Sequence, residues 1–137
     1  MEGVVLMQNR WPTKTFPQAA SVHRAILVMD SRKVRTPLRR QTSSRSNWSQ
    51  LYQAGPYHVD LSLKWEEAGA RLVGQVISRE RVSFELAQVF VKQNAAWVKM
   101  PLDLAGRFSL LLASLEDCSL EFHIQGEVVI LDGFELS

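Results

Sequence analysis

The chain of 137 residues has the length of one domain, and folding at that size buries roughly 68–70% of the surface that an unfolded chain exposes. Its 46% apolar and 22% charged residues exclude a wholly disordered, a collagen-like and a membrane-embedded chain. The net charge of +2 conceals two opposed parts: up to Gly55 nine Lys or Arg face only Glu2 and Asp30, a net +7, whereas from Pro56 onward seven face twelve acidic residues, a net −5.

The first residues lack the pattern of a secretory leader, because the apolar run 4–7 is short and Arg10 follows it. No stretch reaches the ~20 apolar residues that span a bilayer, and Cys118, the one cysteine, has no partner for an internal disulfide. A cytoplasmic protein without membrane contact is expected.

Residues 1–55 carry Pro12, Pro17 and Pro37 and a polar run over 41–50 with four serines, and they read as a basic arm and loop segment. One strand is expected within it at 25–31, where Ile26 and Val28 favour extended backbone. Residues 47–54 read as a helical turn or two, capped by Asn47 or Ser49 and stopped by Gly55 and Pro56.

Residues 56–137 have another rhythm. Tyr57, Val59, Leu61, Leu63 and Trp65 alternate with His58, Asp60, Ser62 and Lys64, a period of two that gives a strand one apolar and one polar face. A turn around Gly69 leads to a second strand at 71–78, its hairpin neighbour. A third is expected at 84–92, where the apolar parity changes from Phe84 and Leu86 to Val89 and Val91 and predicts a bulge near Ala87. Gln93 and Asn94 turn into a fourth at 96–102, and 103–106 turn again. Strands at 107–112, 119–124 and 127–131 follow, the last two joined through Gln125 and Gly126. The spacing predicts an all-β fold, an antiparallel β-sandwich of about seven strands. Val59, Leu61, Leu63, Val76, Val89, Phe108, Leu110, Leu120 and Phe122 are its expected core.

Within 72–124 the chain resembles the carboxypeptidase regulatory-like domains, whose sandwich is related to the transthyretin-like (prealbumin-like, Ig-like) fold. The resemblance is carried by Val73-Gly74-Gln75-Val76, Leu86-Ala87-Gln88-Val89, Asp103-Leu104-Ala105-Gly106-Arg107-Phe108 and Leu120-Glu121-Phe122. In the third of these, Asp103 can cap the turn with its carboxylate, Gly106 can take a positive φ and Phe108 can return to the core. The Pro and Gly usual in the second element are missing around 83–87. Asp30-Ser31, Leu51-Tyr52-Gln53-Ala54-Gly55 and Tyr57-His58-Val59-Asp60-Leu61 also resemble small free-standing bacterial sandwich proteins. The family resemblance implies a non-enzymatic folding or docking unit and supplies no catalytic residue.

His23, His58 and His123 lie far apart, and none has a second ligand at a metal-site spacing. His58 and Asp60 share a strand face but have no identifiable nucleophile beside them, so they read as a solvated polar face. Glu116 and Asp117 precede Cys118 and disfavour its thiolate. Trp65 and Trp97 fall in expected strands. No catalytic, metal or cofactor site is therefore expected. Trp11 and Trp48 sit in the basic part, either plugging an end of the sandwich or serving a contact. With Arg32, Lys33, Arg35, Arg39, Arg40 and Arg45 they form the candidate partner-binding set. A protein partner is expected to dock there, with nucleic acid as the alternative.

Overall fold

The computed structural model describes residues 21–33, 47–112 and 118–132. They form ten strands: β1 (Ser21–Arg24), β2 (Ile26–Asp30), β3 (Trp48–Ala54), β4 (Tyr57–Glu66), β5 (Gly69–Ser78), β6 (Gln88–Gln93), β7 (Ala96–Pro101), β8 (Arg107–Leu111), β9 (Cys118–Ile124) and β10 (Glu127–Leu131), with a short 3-10 turn at Ser31–Lys33. One sheet runs β1-β10-β9-β6-β7 and the other β2-β3-β4-β5-β8. Of the strand pairings, β1 with β10 is parallel and the rest are antiparallel.

All seven strands expected after residue 56 form, and β1, β2 and β3 raise the number from seven to ten. The strand expected at 25–31 forms as β2, and an unexpected strand, β1, precedes it: at Ala25, whose amide donates to the Ile130 carbonyl at 2.8 Å, the chain leaves the first sheet and enters the second. The helical turn expected over 47–54 is instead β3, in which Trp48, Gln50, Tyr52 and Ala54 point inward. Its period of two was hidden because one inward position is the polar Gln50. The boundary expected at Gly55 falls in the two-residue turn between β3 and β4, strands that pair along seven positions.

Sequence explains the hairpins. Gly55 has φ +62°, and its Cα faces the His23 ring so closely that a Cβ would stand 2.5 Å from Nδ1. The β6–β7 turn is formed by Asn94 and Ala95, both at positive φ, rather than by Gln93 and Asn94, and Gln125 and Gly126 make the same turn between β9 and β10. Two left-handed residues in succession match the twist of the flanking strands. No bulge occurs at Ala87: Phe84 to Ala87 is a turn closed by Ala87 N–H to the Phe84 carbonyl, with Leu86 at φ 68°, and this turn resets the parity before β6 begins.

The turn at Asp103 forms as its residues predict. The Asp103 carboxylate accepts from the amides of Ala105 and Arg107 at 2.9 and 2.8 Å, Gly106 sits at φ +81°, and Phe108 is buried.

Both sheets contribute to a single apolar cluster, which makes the arrangement sandwich-like. Eight of the nine expected core residues are buried, and Leu110 is half-buried against the same cluster. Phe108 of β8 meets Phe122 of β9 edge to face, with centroids 5.8 Å apart, joining one sheet to the other. Such a pair contributes about 0.5–1.5 kcal/mol beyond its burial.

Candidate interaction surface

The 3-10 turn after β2 brings Arg32 back beside Asp30. The Arg32 amide and Nε donate to Asp30 Oδ1 at 2.9 and 3.1 Å, and Nη2 donates to Oδ2 at 3.0 Å. Gln50 Nε2, from the neighbouring strand, donates to the same Oδ2 at 2.9 Å, and its own carbonyl oxygen accepts from the Tyr52 hydroxyl at 2.9 Å. The Asp30 side chain is nearly fully buried, so these donors replace the water it has lost. The Arg32 hydrogen bond is the main reason that the Asp30 carboxyl is held down at about 2, with burial opposing and Gln50 assisting.

The guanidinium that neutralises Asp30 also lies over the Trp48 ring, 4.7 Å from its centroid. Trp48 itself is buried. Ser31 Oγ accepts from the Ser49 amide at 2.9 Å, and Asn47 Oδ1 accepts from the Trp65 amide at 3.1 Å. The Ser31 contact, with the Gln50 bond to Asp30, fastens the carboxyl end of β2 to β3, and the Asn47 contact fastens the start of β3 to β4.

The rest of β2 is built differently. Ile26, Leu27, Val28 and Met29 are 70%, 39%, 54% and 55% exposed, four consecutive apolar side chains in solvent. β2 is the terminal strand of its sheet, with β3 on one side and no strand beyond it among the described residues. A bulge between Leu27 and Met29 interrupts its register with β3. By contrast, the edge strand β7 carries Lys99 and Pro101, residues that blunt an edge.

Of the expected partner-binding set, Arg32 and Trp48 are brought together. Lys33 closes the 3-10 turn, and Trp11, Arg35, Arg39, Arg40 and Arg45 lie outside the described residues. The exposed residues of β2 complete the surface, and the buried Asp30 and Gln50 support it from beneath; none of these was singled out as a site by sequence. The signal for β2 was present as an apolar run that did not alternate, and the signal for Asp30 was only its closeness to Arg32.

The histidines occupy three separate places. His58 lies on β4 half-buried, on the same face as the exposed Asp60. His23 Nε2 stands 3.4 Å from Glu127 Oε1, while the Tyr57 hydroxyl donates to that same oxygen at 2.9 Å. Burial, reinforced by Glu127, pushes the Tyr57 phenol far above its ordinary range. His123 Nε2 contacts Glu121 Oε1 at 2.8 Å, beside the Phe90 ring. Among the described residues no group of three or more His, Cys, Asp or Glu is placed to hold a metal ion, and no helix is long and apolar enough to cross a membrane. Cys118 is buried at the start of β9.

These features define an all-β, two-sheet domain with an apolar edge strand anchored at one end by a buried ion pair. Compared with known proteins, the chain matches no family model, no curated protein and no solved structure.

Proposed function

We propose that the chain is a non-enzymatic docking module that binds a partner protein through β2, whose end is held in place by the Asp30–Arg32–Trp48 cluster. In this reading the fold is a sandwich of the Ig-like or prealbumin-like type, akin to the carboxypeptidase regulatory-like domains, and it acts in the cytoplasm. The observation that carries it is the exposure of four successive apolar residues on an edge strand whose end is fixed by buried hydrogen bonds. Contiguous exposed apolar surface marks contact sites, and a rigid edge lowers the ordering cost of binding. The basic residues Arg35, Arg39, Arg40 and Arg45 add long-range attraction for an acidic partner.

Nucleic-acid binding is the second reading, favoured by the six basic residues from Arg32 to Arg45. A photo-crosslinking residue placed at Val28 of the intact chain tests both. Crosslinking to one protein in fixed stoichiometry, lost in an Ile26→Asp, Met29→Asp variant that still folds, is the expected result. Crosslinks to nucleic acid, or submicromolar and salt-steep nucleic-acid binding abolished by Arg35→Glu, Arg39→Glu and Arg40→Glu, would overturn it.

A further inference from the structure

We infer that β2 is a strand-addition site whose occupant is an extended, acidic-flanked apolar segment of the partner protein, an inference that rests on the docking reading. The backbone supplies the first argument. A terminal strand offers its outer N–H and C=O groups to an incoming chain, and main-chain hydrogen bonds then give affinity while side-chain contacts give specificity. Both faces of β2 are open at Ile26, Leu27, Val28 and Met29, so an added strand gains apolar contact above and below the sheet.

Charge selects the occupant. Arg24 precedes the apolar stretch, and Arg32, Lys33, Arg35, Arg39, Arg40 and Arg45 follow it, whereas the one acidic residue between Arg24 and Arg45, Asp30, is already held by Arg32. The Arg24 ion pair with Asp132, 3.3 Å long, is exposed on both sides and exchanges readily for a carboxylate of a ligand. A second copy of the chain would bring Arg24, Arg32 and Lys33, at the two ends of β2, against their own counterparts. A nucleic acid would find no aromatic platform on β2, whose residues are Ile, Leu, Val, Met and Asp. An acidic peptide strand satisfies the backbone, the apolar faces and the charge together.

The test uses the intact chain and a fluorescein-labelled synthetic peptide with a centre of alternating valine and threonine and two glutamates at each end. Fluorescence anisotropy is expected to show saturable one-to-one binding. A peptide of the same sequence with N-methyl groups on alternate backbone nitrogens should bind about tenfold more weakly or worse, as should a lysine-ended peptide. The Ile26→Glu, Val28→Glu variant should lose binding, while Val98→Lys on β7 keeps it, near-ultraviolet circular dichroism confirming that both are folded.

Equal affinity for the N-methylated peptide would overturn strand addition, and equal affinity for the lysine-ended one would overturn the acidic preference. A concentration-dependent dimer abolished by Ile26→Glu, Val28→Glu would assign the edge to a second copy. Displacement of the peptide by single-stranded oligonucleotide would assign it to nucleic acid. Absence of peptide binding by the folded wild type would mean that the edge is closed in the intact chain. A protein crosslink at Val28 without peptide binding would leave docking standing and remove strand addition alone.

Discussion

Phe108 has two tasks, each set by a different neighbour. On the sheet it stands opposite Gly74, and a Cβ added there would lie 2.3 Å from its ring, so the glycine makes room for the aromatic. In the core it reaches Phe122 of the other sheet. Truncating Phe108 or Phe122 to alanine is expected to cost about 3–5 kcal/mol, because the lost contacts leave a cavity that the surrounding strands fill only in part. Chemical denaturation measures this, and a loss below about 1 kcal/mol at both positions would mean that the contact between the sheets does not lie there. This part of the core was legible in the sequence: Phe108 followed a turn whose Asp and Gly have local physical requirements, and those requirements are met within six residues. Gln50 was not legible, because a polar residue on an inward face is stable only with partners, and one of its partners, Asp30, lies twenty residues away.

The elements divide along the same line. β4 and β5 are recognisable because inward and outward positions alternate along them, Tyr57, Val59 and Leu61 being buried between the more exposed His58, Asp60 and Ser62 on β4, whereas β10 reads as a continuous apolar run, Val128 to Leu131, that is buried throughout. In the first part of the chain, which read as arm and loop, the strand at β2 was expected from its apolar run even though that run is exposed, whereas β3 breaks the rule by burying Gln50 and was missed. The candidate surface was legible only as a list of cations and tryptophans. That Arg32 serves Asp30 and Trp48 at once depends on a 3-10 turn no periodicity announces.

The same junction gives β2 its acid sensitivity. The Asp30 carboxyl, ordinarily near 3.8, is depressed to about 2 in the folded chain, so its contribution is complete above pH ~4 and is lost as pH falls toward 2. The stability gap between wild type and Asp30→Asn is therefore expected to narrow over that interval and to be constant above it. Urea unfolding across the pH range measures the gap. A gap that widens on acidification would remove the ion pair as the fastening of β2.

At the scale of the molecule, β1 and β2 form one run of chain that serves both sheets, changing allegiance at Ala25. Its parallel partner β10 begins beside Ser21 at Glu127 and advances with it to Arg24 opposite Ile130. The consequence is mechanical. When Ser21 and Asp132 are pulled apart, the two strands are drawn in opposite directions along their axes, and the bonds between them bear the load together in shear. The hairpin of β6 and β7, gripped at Gln88 and Pro101, opens from one end and loads its bonds one at a time. Single-molecule stretching through cysteines at Ser21 and Asp132 is expected to rupture at a higher peak force than stretching through cysteines at Gln88 and Pro101, since forced unfolding follows the barrier rather than the equilibrium stability. Equal peak forces would show that the parallel pair bears no load. A chain held in this way resists tension along its own length, so a partner strand seated on β2 would tug on a clamp that closes both sheets.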